Sequence, residues 1–226
     1  RGKLDRVEVL GFVDGHVSID WINGCGGRVI NLLCKGSERH CTLQLRKTPD
    51  EHLADIRREV EYAQRLGISV NVYLEDWSNG MRTSEEYVYK MVDEILTMDV
   101  RRIMLPDTLG VLDPLLAVSY FRKMRKRYPH AHFDFHAHND YDLAIANVSA
   151  AVLCGCQGIH TAVNGLGERA GNAPLASVQA ILHDHFHIVT HIDESKLFDI
   201  SRLVESYSGI AVPANKPIVG ESVFTQ

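Results

Sequence analysis

Two histidines separated by a single residue, His136 and His138 in the stretch HFDFHAHND (His132–Asp140), are the residues best placed to do chemistry. In an extended chain the side-chain period is two, so Asp134, His136 and His138 share one face while Phe133, Phe135 and Ala137 share the other. The polar face can bind a divalent ion through neutral imidazole nitrogens, at roughly 2.0–2.1 Å each for zinc. The apolar face can pack on helices. Spacing alone leaves a second reading open, in which the pair are ordinary polar residues of a strand. The next three residues favour chemistry, because Asn139, Asp140 and Tyr141 lead directly into an Ala-rich helical pattern. Barrel enzymes keep their active sites at such strand-to-loop junctions.

The elements that must position the pair alternate in type. Val29–Cys34 (VINLLC), Ile68–Leu74 (ISVNVYL), Arg102–Leu105, the His-bearing stretch from His132 and Gly158–Ala162 read as buried strands. Helical patterns separate them. Thr48 caps one, with Pro49 in its first position, Asp50 and Glu51 in its first turn and Gly67 past its end. Others start near Thr83 or Ser84, at Asp113–Pro114, near Asp142, at Pro174 and near Glu194, with EDWSNG (Glu75–Gly80) and PDTLG (Pro106–Gly110) as loops. Before them lie a short helical candidate, His16–Asn23, and two β-prone runs, Asp5–Val9 and Leu10–Val13, that abut with no turn between them. That abutment suggests a segment missing near Val9. Strands about 25 to 40 residues apart with helices between them imply a parallel sheet. The expectation is an α/β fold, a (β/α)8 TIM barrel over residues 1–206 that is incomplete at its N-terminus, with residues 207–226 starting a linker. Its polar strand ends, among them His40, Glu75, Asp107, Thr108, His136, His138 and Thr161, would then meet at one mouth.

Composition narrows the class. The chain has 226 residues, 45% of them hydrophobic, which is enough for a sizeable core. Its formal charge of −5 offers no basic field to nucleic acid or an anionic membrane. No apolar run approaches the roughly 18 residues of a spanning helix. The five cysteines, an odd number at uneven spacing, argue against a disulfide framework. With Arg1 first and no signal-peptide pattern, the sequence reads as a cytoplasmic protein cut from something longer.

Six motifs occur in order: KGSERH (Lys35–His40), YLEDW (Tyr73–Trp77), LPDTLG (Leu105–Gly110), FHAHND (Phe135–Asp140), NGLGERAGN (Asn164–Asn172) and NKPIVGE (Asn215–Glu221). Together they resemble the 2-isopropylmalate, citramalate and homocitrate synthase family over nearly the whole chain. The resemblance implies a barrel that condenses acetyl-CoA, as co-substrate, with a 2-oxo acid, using one divalent metal ion (Mn, Zn or Mg). Members acting on pyruvate or 2-oxoisovalerate look most similar, through YLEDWSNG and HNDYDLA. It further implies a homodimer. By the same resemblance, His136, His138 and Asn172 would hold the metal, Glu75 and His40 would be catalytic, and Thr108, Asp107, Asn139 and Thr161 would contact substrate.

That chemistry explains the residue types. A 2-oxo acid can chelate an ion that polarises its ketone, the acetyl methyl must lose a proton to a base, and water must then cleave the thioester. Two parts of the family pattern have no match here: an Arg-Asp pair on the first strand, whose Asp is a metal ligand, and a His-containing segment beyond Gln226. An acyl-CoA lyase or aldolase on the same metal, and a non-catalytic metabolite-binding barrel, are the alternatives. The His-rich stretch His183–His191 reads as a solvated turn. NGLGERAGN is not a dinucleotide loop, since it lacks the GxGxxG register and follows a late strand.

Overall fold

The computed structural model describes residues 4–224. Six strands, β1 (Val9–Phe12), β2 (Val29–Lys35), β3 (Ser69–Glu75), β4 (Ile103–Asp107), β5 (Phe133–Ala137) and β6 (Gly158–His160), form one sheet in the order β1-β2-β3-β4-β5-β6. Every pairing is parallel. Parallel neighbours need a crossover between them, and helices supply it: α1 (Val17–Gly24), α2 (Pro49–Arg65), α3 (Trp77–Thr83), α4 (Glu85–Ile95), α5 (Pro114–Arg127) and α6 (Ala144–Leu153), with α7 (Leu175–Asp184) and α8 (Leu197–Ser208) after the last strand. This is the strand order and layering of a (β/α) barrel wall. Among the described residues β1 and β6 are its edges. No helix among them is long and apolar enough to cross a membrane.

Local sequence chemistry sets the helix starts. Thr48 and Glu51 form a reciprocal capping box, the Glu51 N–H donating to Thr48 Oγ1 at 3.2 Å and the Thr48 N–H to Glu51 Oε2 at 2.7 Å. Asp113 caps α5 by accepting the Leu116 N–H at 2.8 Å, with Pro114 next to it. The face these helices bury carries Leu53, Ile56, Val60 and Ala63 on α2 and Phe121 and Met124 on α5. Phe121 stacks edge-on against Phe135 of β5 (5.1 Å between centroids) and tilts against Trp77 (5.3 Å). Phe133, Phe135 and Ala137 thus pack outward on helices, as the period of two requires. Asp134 and His136 are left on the helix-free inner face.

Two expectations need correction. The paired β-prone runs at the start are one strand, β1, preceded by a 3-10 turn at Leu4–Arg6. EDWSNG is not a loop throughout, because Trp77–Thr83 is helical. Trp77 is fully buried and Gly80 sits so close to the Gly36 carbonyl that a Cβ there would lie 2.0 Å from the oxygen. Tertiary contact winds a polar, Gly-containing segment into a helix that its own propensity disfavours.

Candidate active site

The inner face carries two polar layers. Toward the amino ends of the strands, Arg102 pairs with Glu8 and Asp134, and the Asp134 carboxylate also meets His132 (2.9 Å) and His160 (3.3 Å). Burial pushes Asp134 up, but the His160 hydrogen bond and the Arg102 charge outweigh it and hold the carboxyl below its usual range. Gly158, its register partner, makes room: a Cβ there would lie 2.1 Å from Asp134 Oδ1.

Toward the carboxyl ends stand the histidines. His136 lies opposite Pro106 of β4 and His160 of β6. The rings of Tyr73 and His160 meet it edge-on at 5.8 Å and 5.6 Å. Its Nε2 comes within 3.3 Å of His138 Nε2. Burial first, then the adjacent His160 and His138 rings, lower the His136 pKa to about 3, so the ring is neutral. Burial and then Arg169 also lower His138. Two neutral imidazoles facing each other through Nε2 can share one proton or one cation.

The loop after β6 brings in Asn172. Its backbone bridges His138, the Ala173 N–H donates to the Ala137 carbonyl (3.1 Å), and the Asn139 N–H donates to the Gly171 carbonyl (2.9 Å). Glycine is required for this approach. Gly171 has φ 87°, and a Cβ there would sit 2.0 Å from the Gly165 oxygen. Asn172 Nδ2 donates to the Leu166 carbonyl at 3.0 Å, while Asn172 Oδ1 and His138 Nδ1 are buried with no hydrogen-bond partner. Orphaned buried polar atoms are costly unless something else satisfies them. The donor set of two imidazoles and one amide oxygen suits a borderline divalent ion. It is a partial shell, since no group of three or more His, Cys, Asp or Glu among the described residues can hold a metal.

Arg169 ties three loops together. It forks onto Asp140 at 2.7 Å and 2.9 Å and donates to the Thr108 carbonyl at 2.7 Å. Thr108 Oγ1 accepts the Asp76 N–H at 2.8 Å, which leaves its own hydroxyl proton for another acceptor. Glu75 ends β3 on the inner face, ion-paired with Lys35 of β2. His40 opens the π-helical turn His40–Gln44, with Nε2 3.4 Å from Asp76 Oδ2. Thr108, His136, His138, Asn172, Glu75 and His40 therefore belong to the carboxyl-end loops and strand ends of one sheet.

Three expected substrate contacts are placed otherwise. Asp107 falls on the helix side of β4 and is fully buried, its carboxylate accepting from Ser78 Oγ and from the Val111 and Leu112 N–H groups. Burial raises its pKa, and it serves to hold its own loop. Thr161 follows the outward parity of Ile159 and lines a cavity of about 250 Å³ with Val152, Leu175 and Val178, behind the sheet. Asn139 spends its side chain on Asp142 (3.1 Å) and on the Ala144 N–H (3.1 Å) at the start of α6. Residues that sequence reasoning passed over are Lys35, Tyr73, His160 and Arg169. Parity along ISVNVYLE and GIH was the available signal for Tyr73 and His160.

Known proteins share this arrangement of elements. A family model described as HMGL-like matches residues 13–204. The homocitrate synthase of Sulfolobus acidocaldarius is 40% identical over 188 residues, covering 83% of this chain and 39% of its own length. The (R)-citramalate synthase CimA of Methanocaldococcus jannaschii is 36% identical over 220 residues, covering 97% of this chain and 44% of its own. The chain thus spans less than half the length of these relatives. The crystal structure of the HMG-CoA lyase of Bacillus subtilis superposes with a TM-score of 0.79 at 19% identity, over 91% of this chain and 72% of that one, a likeness of fold.

Proposed function

Because the chain belongs to the HMGL-like family, we propose that it carries the catalytic barrel of a metal-dependent synthase condensing acetyl-CoA with a 2-oxo acid, either pyruvate or 2-oxoisovalerate. The observation that carries this reading is the 3.3 Å approach of His136 Nε2 to His138 Nε2 at the carboxyl end of the sheet, with Asn172 bridged to His138 through its backbone and its buried Oδ1 left without a partner. A divalent ion held by these three would supply Lewis acidity toward the ketone of the 2-oxo acid.

The remaining roles fall to side chains. The free hydroxyl proton of Thr108 donates to the substrate carboxylate, and the Asp76 N–H fixes that rotamer. Glu75 takes the role the family resemblance gives it, beside the acetyl thioester and its hydrolytic water, where its carboxylate would accept a proton. His40, whose Nε2 approaches Asp76 Oδ2, would act from the neighbouring loop. The tail of the 2-oxo acid meets inner-face Leu33, Tyr73 and Met104, whose register places them on one side. Such a surface favours a short apolar tail over a second carboxylate, because an unpaired charge there would be desolvated.

The test is thiol release from acetyl-CoA by the intact protein with pyruvate, 2-oxoisovalerate and 2-oxoglutarate, beside the His136→Ala, His138→Ala double variant. Release with an apolar 2-oxo acid that vanishes in the double variant is expected. Release that survives the double variant, or none with any 2-oxo acid after Mn²⁺ or Zn²⁺ is added, overturns the reading.

A further inference from the structure

Lys35 has a nearly buried cation at the mouth. Its side chain is 10% exposed and its Nζ is ion-paired with Glu75 Oε2. The two face each other in the β2–β3 register, so both project from the inner face. The strand end that carries Lys35 is held by its main chain. The Lys35 N–H donates to His52 Nε2 at 3.0 Å, its carbonyl accepts the Tyr87 hydroxyl at 2.9 Å, and the next N–H, of Gly36, donates to the Glu75 carbonyl at 2.6 Å. Phe12, Val13, Leu33 and Leu45 line the same pocket as Lys35, together with Lys47 and His52.

A pair of charges withdrawn from water is poor evidence of stabilisation, because desolvation offsets much of the Coulombic gain. What the pair does achieve is geometric. Glu75 Oε2 is tied to Lys35, while Glu75 Oε1 has no hydrogen-bond partner among the described residues.

We propose that Lys35 is a positioning residue for the condensation: by holding Oε2 it fixes the Glu75 carboxylate in one orientation and leaves Oε1 for the acetyl thioester and its water. The inference rests on the proposed synthase function and names a residue that reading does not use. Lys35 acts through Glu75, so the two residues form one functional unit, and the effects of residues acting as a unit are not additive.

The test is a double-mutant cycle on the steady-state kinetics of the intact protein, with Lys35→Met, Glu75→Gln and the pair. Lys35→Met is expected to lower kcat about 10- to 100-fold, the loss typical of a catalytic group misplaced by roughly 1 Å, with KM for the 2-oxo acid nearly unchanged. In a Glu75→Gln background it should cost little more. Lys35→Arg should recover most of the loss, and added ethylamine should raise kcat of Lys35→Ala. Lys35→Gln serves where Lys35→Met does not fold, since the main-chain bonds of Lys35 survive either change, and the same loss is expected of it. Additive losses in the cycle, or an active wild type with an unchanged Lys35→Met, overturn the assignment of Lys35 alone. A wild type silent with every 2-oxo acid overturns the functional reading and this inference with it.

Discussion

His136 and His138 bring their Nε2 atoms to 3.3 Å of each other at the end of β5, with neither ring able to satisfy the other twice. When both rings carry their proton on Nδ1, the two Nε2 lone pairs face each other, and a cation between them would be held by both. Metal binding to the folded state alone raises stability by RT ln(1 + [L]/Kd), about 2.7 kcal/mol at 100 times Kd. Thermal unfolding of the chelator-treated protein should therefore shift upward with added Zn²⁺ or Mn²⁺. The His136→Ala, His138→Ala variant should show no shift; an equal shift in both would place the metal elsewhere.

Thr108→Val removes one hydroxyl and two interactions. The Asp76 N–H loses its acceptor, and on the proposed role the substrate carboxylate would lose a donor. A hydrogen bond to a charged group contributes about 1.5–3 kcal/mol, so KM for the 2-oxo acid should rise roughly 10- to 100-fold. Thr108→Ser keeps the hydroxyl and should stay near wild type. Initial-rate measurements at varied 2-oxo acid distinguish the two.

Gly171→Ala tests whether loop geometry places Asn172. The added Cβ would start 2.0 Å from the Gly165 carbonyl at a φ of 87°, and an L residue held in such a conformation costs about 1–3 kcal/mol. The loop must shift, carrying Asn172 with it. Metal content per chain should fall although both histidines remain, and urea denaturation should show the stability loss. Full metal content would mean that Asn172 is not a ligand.

Acid should weaken the fold in part through His52. Burial, its largest cause, lowers the pKa of this ring from 6.5 to about 4, and the neutral ring accepts the Lys35 N–H. Between those pH values the unfolded chain binds a proton that the folded chain does not. The associated stability is present above pH 6.5 and is lost as the pH falls toward 4, a change of about 3 kcal/mol. In His52→Gln the slope of unfolding free energy against pH should be shallower in that window by one proton; an unchanged slope would show that His52 titrates normally.

Much of this protein was legible in one dimension. Thr48 with Glu51 and Asp113 with Pro114 marked helix starts because capping is a contact between near neighbours. The alternation of strand and helix implied a parallel sheet, and the parity of Phe133 to Ala137 put His136 inward because side chains on a strand alternate whatever surrounds them. Residues whose role depends on contact between distant segments were not legible. Asp107 and Thr161 sit at strand ends yet turn outward, and His160 turns inward, because a shift of one residue in where a strand is counted from reverses every side chain on it. Trp77–Thr83 is helical because Gly36, far away in sequence, meets Gly80. Lys35 finds Glu75 only through the pairing of β2 with β3. Local bonding rules act within a few residues and could be read from the chain itself; register and the meeting of loops are set by the packing of the whole sheet.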